Sequence, residues 1–434
     1  MEPTTNTFVS CAPIYDSCFD DGASGFGSRK VASVPCRNHL SFEGVSQQAD
    51  QQLVYERICL PYEPYEEMAI PLLPVKSSGK LPVTEAACSD HGRSCQPHCE
   101  ALPLQVCRSG NIAEFRRLLA TNPGIAQQWF RSAATGCDVT LLHIAAQNGH
   151  EQILQVLLEA GADGHAICGD MTALFLAVSE GHEACWQALL SAGVDPNTPR
   201  KTGVTALLCA ALQGNQRAVE ALVSAGANIH STFMGGVTAL HMSVLQDDDE
   251  VAQTLINAGA DCNATDDGNE TPLLIAIREG SVKCAQMLIK NGASLDVASK
   301  DGTTPLYLAV KKDCEEIVQA LLRAGAAANP VPLWDGTMPL HIAVLNGNKK
   351  ITKALVKCGA NPDVTDEVGT TPLHIAAREG HEQCLKVLLN AGANTDIDRS
   401  LDGETPLLSA AKNRQSDNVR MLLNAGAKKK CPVQ

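Results

Sequence analysis

Cys88, His91, Cys95, His98 and Cys99 place five potential metal donors within twelve residues. Thiolate and imidazole are the donors zinc prefers. The spacing matches no familiar finger, and no second ligand pair follows at a usual distance. The plainer reading is a Cys/His-rich linker, so no metal or other cofactor is expected. Two further groups could carry covalent modification. Tyr55, Tyr62 and Tyr65 sit among Glu56, Glu63, Glu66 and Glu67. Phosphorylated Tyr62 or Tyr65 would suit an Arg-lined partner, and unmodified they make a solvated linker. Ser24 and Ser28 bracket Gly25-Phe26-Gly27, behind Asp20 and Asp21. His-Glu recurs at His150-Glu151, His182-Glu183 and His381-Glu382, never as a His-Glu-x-x-His zinc helix. There is no Gly-x-x-x-x-Gly-Lys-Ser/Thr phosphate loop and no Gly-x-Ser-x-Gly elbow. Nothing assembles into a catalytic constellation, and an enzyme is not expected.

What positions these residues is a period. A Thr-x-Leu step places its leucine at Leu142, Leu174, Leu207, Leu240, Leu273, Leu306, Leu340, Leu373 and Leu407. Only the copy at Leu340 departs, with Met338 in the Thr slot. Successive gaps are 32, 33, 33, 33, 33, 34, 33 and 34 residues. A glycine follows in phase in every copy, from Gly161 to Gly426. A fixed period of this length means stacked repeats, which present long surfaces and seldom do chemistry. In the clearest copy, Thr371 suits an N-cap and Pro372 the first helical position. Ala376 and Ala377 allow close helix approach, and Gly380 breaks the helix. A second helix follows with Cys384, Leu385, Leu388 and Leu389 in one apolar stripe. Gly392 stands where a left-handed C-terminal cap is wanted.

The run Thr371-Pro372-Leu373-His374-Ile375-Ala376 resembles the ankyrin repeat, whose unit is about 33 residues. Nine in-phase copies carry the resemblance, with an earlier degenerate one around Gly110, Asn111 and Ile112–Leu119. It implies an all-α solenoid of helix-turn-helix-loop units. The expected organisation is a mostly disordered tail at 1–100, a capping repeat at 101–136 and nine tandem repeats at 137–430. The Glu of each His-Glu pair then sits at a second helix's start, complementing its dipole. The resemblance also makes His143, His241, His341 and His374 structural, tying neighbouring loops by hydrogen bonds. It places ligands on a concave face made of loop tips and first-helix ends. Candidates there are Arg278, Lys311, Lys312 and Arg378 at helix ends, and Arg200, Lys201, Phe233, Met234 and Trp334 at loop tips. Exposed aromatics make good anchors. Asn197 and Asn263 match the context in which such loops are hydroxylated by 2-oxoglutarate oxygenases, although most such asparagines only form turns.

Charge and composition narrow the partners. The formal charge is −14; residues 1–100 hold 13 acids and 7 bases, contributing −6 and leaving −8 for the repeats. A net acidic stack argues against nucleic acid, whose phosphates need a basic surface. No run of about 20 apolar residues exists to span a membrane. Met1–Ser10 has no apolar run behind it, so no secretory signal is expected. Of the 18 cysteines, Cys185, Cys284 and Cys384 share one buried-stripe slot, and Cys358 replaces an alanine. They read as small core residues carrying reduced thiols in a cytoplasmic or nuclear protein. The expected function is a monomeric, non-enzymatic scaffold or adaptor binding other proteins. One alternative is a transcription-factor regulator: Ser24-Gly25-Phe26-Gly27-Ser28 resembles the phosphodegron of the inhibitor-of-NF-κB family, with Ala23 where that family has Asp. Another is a substrate receptor of a ubiquitin ligase, although the four residues after Lys430 leave no room for a SOCS box.

Overall fold

The computed structural model describes residues 97–131, 138–331, 334–399 and 402–428. Ten helix pairs follow one another along these residues. They are α1 (Pro97–Ser109) with α2 (Ile112–Thr121), α3 (Leu141–Gln147) with α4 (Glu151–Glu159), α5 (Ala173–Ser179) with α6 (Glu183–Ser191), and α7 (Ala206–Leu212) with α8 (Gln216–Ser224). Next come α9 (Ala239–Leu245) with α10 (Asp249–Asn257), α11 (Pro272–Glu279) with α12 (Val282–Lys290), and α13 (Pro305–Lys311) with α14 (Glu315–Ala324). The last are α15 (Pro339–Leu345) with α16 (Lys349–Lys357), α17 (Pro372–Glu379) with α18 (Glu382–Asn390), and α19 (Pro406–Lys412) with α20 (Ser416–Asn424). The all-helical reading holds. The first pair begins at Pro97, ahead of the boundary expected at 101.

Local chemistry sets each start. Thr172, Thr205, Thr271, Thr304 and Thr405 accept from the backbone N–H three residues on, satisfying an orphan donor of the helix. Proline fills the first helical position of α11, α13, α15, α17 and α19. First helices pack on first helices of adjacent repeats and second on second. The first helices are buried nearly all round: Leu373, Ile375, Ala376 and Ala377 of α17 are all buried. The second helices bury one stripe, as Ile317, Val318 and Leu321 do in α14. No repeat could bury these faces alone, so neighbour interfaces hold the stack.

Cys185, Cys284 and Cys384 are buried in the expected slot, but Cys358 is exposed. It occupies the C-cap of α16, where the chain has left the buried stripe. Among the described residues, three antiparallel hairpins form in the loops: β1 (Trp129–Arg131) with β2 (Asp138–Thr140), β3 (Ile167–Cys168) with β4 (Met171–Thr172), and β5 (Thr232–Phe233) with β6 (Val237–Thr238). Later loops are joined tip to tip by backbone bonds instead: Asp267 N to Gly235 O at 2.5 Å, Lys300 N to Gly268 O at 2.9 Å and Glu367 N to Asp335 O at 3.1 Å. The loops thus form a row of fingers beside the helices.

Candidate interaction surface

The histidines that looked chemical are built into the frame. Thr371 N donates to His374 Nδ1 at 3.2 Å, so that nitrogen is the acceptor. The proton then sits on Nε2, which donates to Glu404 O in the next loop at 2.9 Å. His241 repeats the arrangement with Thr238 N and Glu270 O, and His341 with Met338 N and Thr370 O. His143 Nε2 reaches Ala166 O and Met171 O at 3.1 and 3.2 Å. Burial pushes all four imidazoles below their ordinary pKa, against the pull of those carbonyls. They are neutral struts between repeats.

A second set of polar struts spans the loops. Asn197 Nδ2 donates to Gly226 O at 3.1 Å, and its Oδ1 accepts from Asn228 N at 2.6 Å. Asn263 Oδ1 accepts from Ser294 N at 2.7 Å. Asp296, Asn329, Asp363 and Asp396 occupy the same slot and accept the same way. Both candidate asparagines therefore carry side-chain bonds to the next repeat.

Among the described residues most of the exposed large apolar side chains lie on the fingers, with Leu102 and Leu423 on the end helices. Trp334 is 70% exposed, Met234 64% and Val331 83%. Phe233 is not an exposed anchor: it is 8% exposed. Successive strand residues point to opposite faces, so pairing Phe233 with Val237 turns its ring inward and Thr232 outward, while Met234 begins the turn at the tip. The same alternation exposes two residues that sequence reasoning missed. Trp129 is 50% and Ile167 51% exposed, beside the buried Phe130 and Cys168. In Trp129-Phe130-Arg131 the alternation puts Phe130 in and its two neighbours out, a signal too short to stand apart from the repeat's period.

The charged candidates divide. Lys201, Lys311 and Lys312 are exposed. Arg200 is engaged: its Nε donates to Asp170 Oδ2 at 3.0 Å and its guanidinium lies 5.3 Å from the Phe175 ring centroid. Arg278 is paired with the buried Glu270, whose carboxyl is pushed up by burial while Arg278 pulls it back. Arg378 Nε meets Glu379 Oε1 at 2.8 Å and is largely covered. Arg200, Arg278 and Arg378 are thus held within the stack rather than presented. Among the described residues no group of three or more His, Cys, Asp or Glu is arranged to hold a metal, and no helix is long and apolar enough to cross a membrane. Ser24, Ser28, Tyr62, Tyr65, Cys88, His91 and Cys95 lie outside the described residues.

The sequence matches the family described as Ankyrin repeats (3 copies) over residues 104–200, 174–266, 240–331 and 340–432. The chain belongs to the ankyrin-repeat family. Its repeats are a protein–protein interaction module, typically without catalytic activity. Among solved structures it is similar to the ankyrin repeat domain of Bcl-3, described as a unique member of the IkappaB protein family. Identity is 31% over 51% of this chain and 100% of that one, with a TM-score of 0.46. No curated relative matches the chain.

Proposed function

We propose that this stack is a non-enzymatic scaffold or adaptor whose partner protein docks across the fingertips and the adjoining first-helix ends. The observation that carries the reading is the exposure of Trp334 and Met234, where the described residues bury their other large apolar groups with few exceptions. Large apolar side chains on exposed tips are the anchors that dominate interface energetics. Trp129 and Ile167 extend the same kind of surface to the earlier fingers, and the exposed Lys201, Lys311 and Lys312 add positive charge. The working location is the cytoplasm or nucleus, as a monomer. Burial pushes the thiols of Cys107, Cys209 and Cys284 up to about 12, which suits inert reduced core cysteines. The alternatives of transcription-factor regulator and ligase receptor rest on residues outside those described.

The test is affinity purification with the full chain and a Trp334→Ala/Met234→Ala variant. Both side chains are exposed, so the variant should unfold at the same temperature as the parent. We expect it to lose the main partner. Recovery of the same proteins in the same amounts would move the interface elsewhere.

A further inference from the structure

We infer that the groove between α16 and α18 is a second docking surface, shaped for an acidic peptide segment that carries an apolar side chain. The groove encloses about 480 Å³ between the second helices of two adjacent repeats. Lys349, Lys353, Lys357 and Lys386 line it, with half-buried Val356 and Val387 between them. No acidic residue lines it.

This cluster reverses the charge that five of the other described repeats place here. The first residue of the second helix is Glu151, Glu183, Asp249, Glu315 or Glu382 in those repeats, matching the helix dipole, and the uncharged Ile112, Gln216, Val282 or Ser416 in the other four described. Here it is Lys349, followed by Lys350, with no acid in the first turn. Lys349, Lys353 and Lys357 then recur every four residues, so like charges share one face of α16 and repel. Compensation from the protein is partial. Lys350 turns to Glu315 on the preceding repeat at 3.0 Å, and Lys386 lies 3.7 Å from Glu382. Lys349 Nζ donates only to a neutral amide, Gln383 Oε1, at 3.0 Å. Lys353 and Lys357 meet no acid among the described residues. Among the described second helices only α16 opens on a base, and such a local conflict is expected at functional sites. An anion in this groove would relieve the repulsion.

The surroundings select the kind of anion. On the preceding repeat, Asp313, Glu315 and Glu316 border α16. A long phosphate backbone laid along the outer helices would run from the lysines onto these acids. A short acidic segment would not. The valines between the lysines offer an apolar side chain a place out of water, which a bare phosphate cannot use. This surface lies on the second helices, away from the fingertips, and stands independently of the docking proposed there.

The experiment is fluorescence anisotropy with the full chain and a labelled peptide, Glu-Glu-Leu-Glu-Glu-Leu-Glu-Glu, alongside its Gln-for-Glu counterpart, single-stranded oligothymidylate and phosphatidylserine vesicles. We expect the acidic peptide to bind, to weaken as salt is raised, and to lose about tenfold in affinity in Lys353→Glu/Lys357→Glu. Lys353→Gln/Lys357→Gln should lose less, and Lys283→Glu, on α12, should leave affinity unchanged. Four results each overturn the proposal: no binding of the acidic peptide, equal binding of the Gln peptide, equal binding by the folded Lys353→Glu/Lys357→Glu chain, or tighter binding of the oligonucleotide or vesicles.

Discussion

A proton added to His374 would land on Nδ1, against the Thr371 N–H that already donates to it. The same conflict waits at His241 and His341. These imidazoles are held below their ordinary pKa by burial, so at mildly acidic pH the unfolded chain binds the protons first. Stability is then full above the unfolded value of about 6.5 and falls as pH drops below it, by at most ~1.4 kcal/mol per pH unit for each histidine. We expect the unfolding temperature to drop between pH 7 and pH 5, with a shallower slope in His341→Gln. A pH-independent midpoint would mean the histidines are not neutral struts. Their partner Thr371 is fully buried and accepts from the His374 amide. Thr371→Val keeps the shape and removes the acceptor, which should cost ~1–2 kcal/mol in urea unfolding. At this scale the sequence was informative where a slot repeats nine times. It misplaced Phe233, because a two-residue strand leaves no periodic trace and one pairing decides which neighbour faces in.

Between elements, a glycine and the next repeat's histidine form one unit. His381 Nε2 reaches Leu345 O at 3.2 Å across the turn at Gly347. Gly347 has a φ of +66°, and a Cβ there would stand 2.8 Å from the His381 ring. Gly149 under His182 and Gly110 under His150 are built alike. Gly347→Ala should therefore destabilise by ~1–3 kcal/mol, from strain and clash together. His381→Ala removes the clash but leaves the strain, so the double variant should lose less than the sum of the singles. Strict additivity would show that the ring simply moves aside. Arg414 holds the same left-handed turn without being glycine, at φ 57°. Arg414→Gly should not destabilise, and relief of the strain would add up to ~1 kcal/mol. The period made the helices legible, caps included, because each repeat is an independent vote for the same geometry. The hairpins and the outward Trp129 and Ile167 were not legible, since they lie where the copies differ in length and type.

The whole chain carries a net charge of −14, and that average conceals the lysine groove at α16 and α18. Charge summed over a stack says little about one interface, because screening confines each surface field to about 8–10 Å. Stability is local in the same way. Each repeat leans only on its neighbours, so damage should spread by interfaces rather than through a single core. Leu306 opens α13 in the middle of the stack and is 1% exposed. Leu306→Asp would bury an unpaired carboxylate there, at a cost on the order of 4 kcal/mol or more. The loss should uncouple the repeats on either side, leaving the segments before and after α13 to unfold separately. In urea we expect the parent's transition to split, with a protease cleaving near α13 at concentrations where the helices before residue 290 remain protected. A single cooperative transition, merely shifted to lower urea, would mean the stack melts as one body and that no interface in it is separable from the rest.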